Sequence, residues 1–233
     1  MDETAREALL KRHAEVREAV AGAARAAGRR PEEVLLLAVS KTQPFSAVEI
    51  LAQAGQTDFG ESYVQEALEK IETCRRPLRW HFIGGLQTRK AKLVAGRFSL
   101  VHSLDSLKLA RSLHKRAGEL DVVQDVLLQV NLACEAQKCG VAEAEAEALA
   151  EAVLGLAHLN LTGLMVLPPY DENPEASRPY FAALRDLRDR LQVRLGRQLP
   201  QLSMGMTGDF VPAIEEGATI VRIGTRIFGP RPS

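Results

Sequence analysis

From Glu3 to Gly28 apolar residues recur at helical spacing among Glu and Arg, and Gly28 with Pro31 just beyond marks a stop. One long amphipathic helix is predicted there. After it the pattern changes. Short apolar or β-branched runs stand at 34–40 (VLLLAVS), 79–83 (RWHFI), 100–104 (LVHSL), 125–132 (DVLLQVNL), 161–167 (LTGLMVL) and 219–223 (TIVRI), with weaker ones at 57–61 (TDFGE) and 201–206 (QLSMGM). Helical patterns fill the gaps near 46–54, 63–73, 87–95, 106–117, 141–157, 174–195 and 209–217. The runs show little alternation between polar and apolar positions, as in strands covered on both faces. Repeated strand-then-helix units predict a parallel sheet. Eight units in about 200 residues suit an α/β chain folded as a (β/α)8 TIM barrel with an extra N-terminal helix. A doubly wound open sheet is the next choice, but no glycine-rich turn follows the first run. No linker or low-complexity tract interrupts the pattern. Residues 1–233 therefore read as one barrel domain, with 1–30 a helix packed on it.

Composition narrows the function classes. The 233 residues are 46% hydrophobic and 5% aromatic, enough for a sizeable core. Lys+Arg and Asp+Glu both number 30, so no global field gathers nucleic acid or anionic membrane, and any binding site must be local. The charged N-terminus lacks an apolar signal core, and no run is long enough to span a bilayer. Cys74, Cys134 and Cys139 lack paired zinc-ligand spacing. Cys134 and Cys139 are near enough in sequence for a disulfide, but reduced thiols in a cytoplasmic protein are the expectation.

A parallel barrel puts its chemistry where strands run into helices. The first run ends in Ser40-Lys41, a lysine at the tip of the most apolar strand, "LLLAVSKTQP". Its stem packs along the rim in the simplest case. Near other cations and apolar walls, its amine is instead poised to attack a carbonyl and form a Schiff base. Near the last two strands stand "MGMTGDF" and "RIGTRIFG". Thr207 or Asp209 is placed to cap the next helix, and Gly208, Gly224 and Thr225 suit tight turns or a cup for a phosphate. Arg222 sits between Val221 and Ile223 in an apolar strand and needs a partner: Asp58 or Glu61 as an ion pair, or a ligand in the barrel mouth. An aldehyde bearing a phosphate satisfies the amine, the arginine and the cup together. Pyridoxal 5′-phosphate (PLP) is such a molecule.

The motifs "AVSKTQP", "FGESYVQEA", "WHFIGGLQTRK", "VHSLD", "LLQVNLACEAQKCG", "GLMVL", "LSMGMTGDF" and "VRIGTRIFG" resemble, in order, those of the pyridoxal-phosphate homeostasis proteins (the YggS-like family). The resemblance runs from Leu35 to Gly229 and implies an alanine-racemase-like barrel. It implies that Lys41 is the Schiff-base lysine, holding PLP as an imine, and that Arg222 approaches the pyridine nitrogen. Ser203, Thr207, Gly224 and Thr225 would surround the phosphate, with Ser62 and Met165 completing the contacts. Ser62 replaces the asparagine usual in the family's FGENY, and Arg89-Lys90 stands where an Asn-Lys pair is common. Cys134 and Cys139 take places usually held by small residues.

An arginine beside the pyridine nitrogen weakens the ring as an electron sink, so a racemase would need two well-placed bases. Related racemases draw the second, a tyrosine, from an additional β domain, and no such domain is expected before Ser233. Tyr63, Tyr170 and Tyr180 are the only tyrosines, and Tyr63 is expected to pack at a helix start. The expectation is therefore a monomeric cofactor carrier with no more than residual activity, passing PLP to apo-enzymes. The alternatives are a PLP-dependent amino-acid racemase and a cofactor-free Schiff-base aldolase. His81 and His102 read as satisfied core histidines, and Lys138, in the loop after the fifth strand, as a secondary cofactor site or a transfer point.

Overall fold

The computed structural model describes residues 2–133 and 139–230. Eight parallel strands form a closed barrel: β1 (Leu35–Val39), β2 (Asp58–Glu61), β3 (Arg79–Phe82), β4 (Leu100–Leu104), β5 (Gln124–Asn131), β7 (Leu159–Val166), β8 (Gln201–Met206) and β9 (Ile220–Ile223). β6 (Val141–Ala142) adds a two-residue parallel edge to β5. β4 pairs with β5, and β9 returns to β1 with Leu35 opposite Ile220 and Leu37 opposite Arg222. The helices are α1 (Glu3–Ala26), α2 (Phe45–Gln53), α3 (Val64–Thr73), α4 (Ala91–Val94), α5 (Leu107–Glu119), α6 (Glu143–Leu154), α7 (Arg178–Leu195), α8 (Phe210–Glu215) and α9 (Thr225–Phe228).

Apolar strands result because both strand faces are covered. Residues such as Phe59, Phe82, Leu104, Leu128 and Leu164 pack outward against the helix layer. A separate cluster of Leu37, Leu100, Leu127, Met165 and Ile220 fills the barrel interior. Burying each large apolar side chain stabilises the fold by about 1.5–3 kcal/mol relative to exposure. Asp2 caps α1, its carboxylate accepting from Ala5 N at 2.7 Å. α1 then buries Leu9, Val16, Val20 and Ala24, packing on α2, α8 and α9. Among the described residues no helix is long and apolar enough to cross a membrane.

Strand positions agree with the sequence pattern to within two residues at each end. Among the described residues β6 and α9, of two and four residues, and a 3-10 turn at Pro31–Glu33 were not expected. All three are too short to show a hydrophobic period. The helical pattern at 87–95 divides into a 3-10 turn, Thr88–Lys90, and the single turn of α4.

Candidate functional site

Beyond the C-terminal ends of the strands the barrel opens into a cavity of ≈ 480 Å³, within the usual range for small-ligand pockets. Val39, Ile83, Leu167 and Phe228 give it apolar walls. Lys41, Ser62 and Arg222 contribute polar side chains, and the loops at Thr207-Gly208 and Gly224-Thr225 close one side. Tyr170 and Asp171 line it from the long loop after β7. Six of the eight residues implied by the resemblance thus border one cavity. The other two lie in the interior: Met165 is fully buried in the apolar cluster, and Ser203 is fully buried against Arg222 and His102. Neither is among the residues lining the cavity.

Lys41 follows the inward-facing positions Leu35, Leu37 and Val39, which is why its side chain enters the mouth. Its backbone is gripped from both sides. Ser40 N donates to Gly60 O at 3.0 Å, continuing the β1–β2 ladder by one residue. Ser40 Oγ donates to Glu61 Oε1 at 2.7 Å. Lys70, reaching inward from α3, donates to Ser40 O (2.7 Å), Glu61 Oε1 (2.8 Å) and Glu66 Oε1 (2.7 Å). Glu66 Oε1 in turn accepts from Thr42 N at 2.6 Å. Thr42 has φ 65°, a left-handed conformation uncommon for a threonine, so this turn is held by its surroundings. Burial pushes the Glu61 carboxyl up from its ordinary value, opposed by Lys70 and Ser40.

Arg222 is 4% exposed and bonds neither Asp58 nor Glu61. Its Nη1 donates to Ser203 Oγ at 2.6 Å and its Nη2 to Val166 O at 2.9 Å. The physical reason is the alternation along β2. Glu61 faces the helix layer and is taken by Lys70. Asp58 faces inward at the start of the strand and is taken by Arg79 and His81. Burial pushes the guanidinium down to about 10, with Asp209 opposing the shift, so it stays charged at neutral pH.

Asp209 holds the N-cap position of α8, but its carboxylate turns back to accept from Met206 N at 2.6 Å, and no side-chain cap bond forms. The bond tightens the Thr207-Gly208 turn. At α9, Arg12 of α1 donates to Ile227 O at 2.9 Å and Phe228 O at 3.3 Å, tying the loop after β9 to the N-terminal helix. A Cβ on Gly84 would lie 2.3 Å from Ser62 O, so glycine alone lets the β3 end approach the turn that carries Ser62.

Sequence reasoning missed Glu66 and Lys70, although their spacing is that of a helical i,i+4 ion pair, and offered Glu61 to Arg222 where Lys70 takes it. It also missed Tyr170, which is 89% exposed on the cavity rim. Tyr63 stands at the N-cap of α3, is 54% exposed and does not line the cavity. Arg89 is exposed and bonds Gln87 Oε1 at 3.0 Å, away from the cavity lining. Cys134 and Lys138 lie outside the described residues.

A family model described as alanine racemase, N-terminal domain, matches residues 14–232. The chain is 47% identical over 222 residues to the pyridoxal phosphate homeostasis protein of Aquifex aeolicus, covering 95% of this chain and 97% of that one. It is 48% identical over 229 residues to the protein of the same name from Pseudomonas aeruginosa, covering 98% and 96%. The structure of PipY of Synechococcus elongatus with PLP bound superposes with a TM-score of 0.84 at 35% identity, covering 95% of this chain and 100% of that one. An alanine racemase of Clostridium difficile shares the fold alone, with a TM-score of 0.70 at 14% identity over 54% of its length.

Proposed function

We propose that this chain, which belongs to the family of pyridoxal phosphate homeostasis proteins, binds PLP at the barrel mouth and holds it through a covalent bond from Lys41. The observation that carries the reading is one cavity lined by Lys41, the buried Arg222 and two glycine-bearing loops. PLP supplies an aldehyde that amines capture reversibly. Lys41 presents the amine from a turn clamped by Glu61, Glu66 and Lys70. Arg222 donates toward the ring nitrogen and, being charged, disfavours a proton there. Thr207, Gly208, Gly224 and Thr225 provide hydroxyl and backbone N–H donors for the phosphate, where glycines admit close approach. Ser62 bonds the ring substituents, and Met165 and Ser203 act from below by supporting the wall. The relative with PLP bound supports the same reading.

The protein acts as a carrier with no more than residual turnover. Racemisation needs a second base facing Lys41, and the tyrosine on the cavity wall, Tyr170, is largely in solvent. Reversible capture by an amine suffices for passing PLP to apo-enzymes. In this reading residues 1–233 form one cytoplasmic, monomeric barrel domain that engages no nucleic acid. The test is borohydride reduction of protein incubated with PLP, followed by intact mass and peptide mapping. One reduced cofactor on Lys41, absent from Lys41→Ala, is expected. No adduct on the wild type, or an adduct mapped elsewhere, refutes the assignment. Turnover of single amino-acid enantiomers at ordinary enzyme rates would overturn the carrier reading.

A further inference from the structure

Beneath the cavity, polar side chains cross the barrel interior in one unbroken series. Arg222 Nη1 donates to Ser203 Oγ at 2.6 Å, and Ser203 Oγ lies 2.8 Å from His102 Nδ1. His102 Nε2 lies 3.0 Å from His81 Nδ1, and His81 Nε2 lies 3.1 Å from Asp58 Oδ1. Asp58 also accepts from Arg79 Nε at 2.7 Å, Arg79 Nη2 at 2.6 Å and Thr57 Oγ1 at 2.7 Å. His81, His102, Ser203 and Asp58 are each at most 5% exposed, whereas the Arg79 side chain is 60% exposed. The series therefore runs from an exposed arginine, through β2, β3, β4 and β8, to the arginine at the cavity.

Its direction follows from which groups can donate. Arg79 and Thr57 leave Asp58 as an ionised acceptor, so His81 must carry its proton on Nε2. With His81 as the singly protonated imidazole, its Nδ1 is an acceptor, and His102 donates to it from Nε2. His102 is buried next to Arg222, which holds it neutral. Its Nδ1 is thus also an acceptor, and Ser203 must donate its hydroxyl proton there. Ser203 is left with lone pairs alone for Arg222. Every bond in the series points from the cavity toward Asp58.

We propose that Asp58, His81, His102 and Ser203 form a one-way hydrogen-bond train that positions Arg222 at the cavity floor, with Asp58 setting the direction. The four are positioning residues. They keep two guanidinium N–H groups turned to Ser203 and Val166 and so fix where the remaining donors lie. The train goes beyond the cofactor assignment, and only the binding arm of its test rests on that assignment.

The first arm is ¹⁵N NMR of the imidazole rings in cofactor-free protein. Both His81 and His102 should show protonated Nε2 and unprotonated Nδ1 near neutral pH. Asp58→Asn ends the train in a group that both donates and accepts, so the His102 signals should become those of mixed tautomers. That change reaches a ring Asp58 does not touch, which simple loosening of the Arg79 contact would not produce. The second arm is PLP affinity. Ser203→Ala cuts Arg222 from the train while sparing the histidine pair, and should weaken PLP binding by about tenfold, the scale of one hydrogen bond to a charged group. A wild-type His102 protonated on Nδ1 overturns the proposal without recourse to any variant. So does an unchanged His102 spectrum in folded Asp58→Asn, or undiminished PLP affinity in Ser203→Ala. Should the wild type bind no PLP, the cofactor assignment falls and the ring spectra alone decide the train.

Discussion

Lys70→Met tests how the lysine-bearing turn is held. Lys70 is 5% exposed and bonds Ser40 O, Glu61 and Glu66, so a methionine of similar volume removes three bonds and leaves Glu61 buried without its cation. Removing one partner of a buried pair commonly costs about 3–5 kcal/mol. Here the loss has a ceiling, because Glu61 can take up a proton, a response its burial already favours. Protonating a carboxyl of ordinary value 4.5 costs about 3.4 kcal/mol at pH 7 and about 0.7 kcal/mol at pH 5. The sign follows: the variant's Glu61 has its folded value raised further, so its penalty is small near pH 4.5 and grows as pH rises. The variant should be less stable than wild type by about 2–3 kcal/mol at pH 7, narrowing to about 1 kcal/mol at pH 5. Urea unfolding of cofactor-free protein at both pH values measures the two gaps. A gap that stays constant with pH, or widens toward pH 5, refutes the argument.

Two further outcomes follow from the interior. Burial first, then His81 and Arg222, holds His102 well below its ordinary 6.5, and burial lowers His13 in the same sense. Their contribution is complete above pH 6.5 and is lost as pH falls below it. The unfolding free energy should therefore be flat above pH 7 and drop toward pH 5, and His102→Gln should reduce the slope by up to about 1.4 kcal/mol per pH unit. An unchanged slope contradicts this. Gly84→Ala places a methyl 2.3 Å from Ser62 O, so the turn must move. A loss of about 1–3 kcal/mol by thermal melting, with weaker PLP binding, is expected, whereas a neutral substitution would show that the approach is not tight.

The barrel was legible because its strands are buried on both faces. "VLLLAVS" and "DVLLQVNL" read as strands from hydrophobicity alone, and the helices between them kept their period. Lys41 and Arg222 stood out as charged residues at or in apolar runs. What could not be read was pairing. Asp58 and Glu61 lie three residues apart and face opposite sides of the sheet, so the choice of partner for Arg222 depended on packing. Ser203 looked like a cavity residue in "LSMGM", yet the inward side of β8 places it beneath the mouth, on Arg222 and His102. Tyr170 carried no periodic signal, since its loop position is set by where β7 ends.

The cavity spans the join where the first and last strands meet, for Lys41 leaves β1 and Arg222 stands on β9, directly paired through Leu37. During synthesis the amine emerges early, but its partner arginine stands on β9, the strand that pairs back onto β1. A nascent chain that stops short of β9 cannot assemble both walls. A ligand bound across this closure stabilises only the finished circle, by an amount set by its concentration relative to its dissociation constant. Occupancy is thus coupled to completion of the fold, and loss of ligand is felt first at the seam.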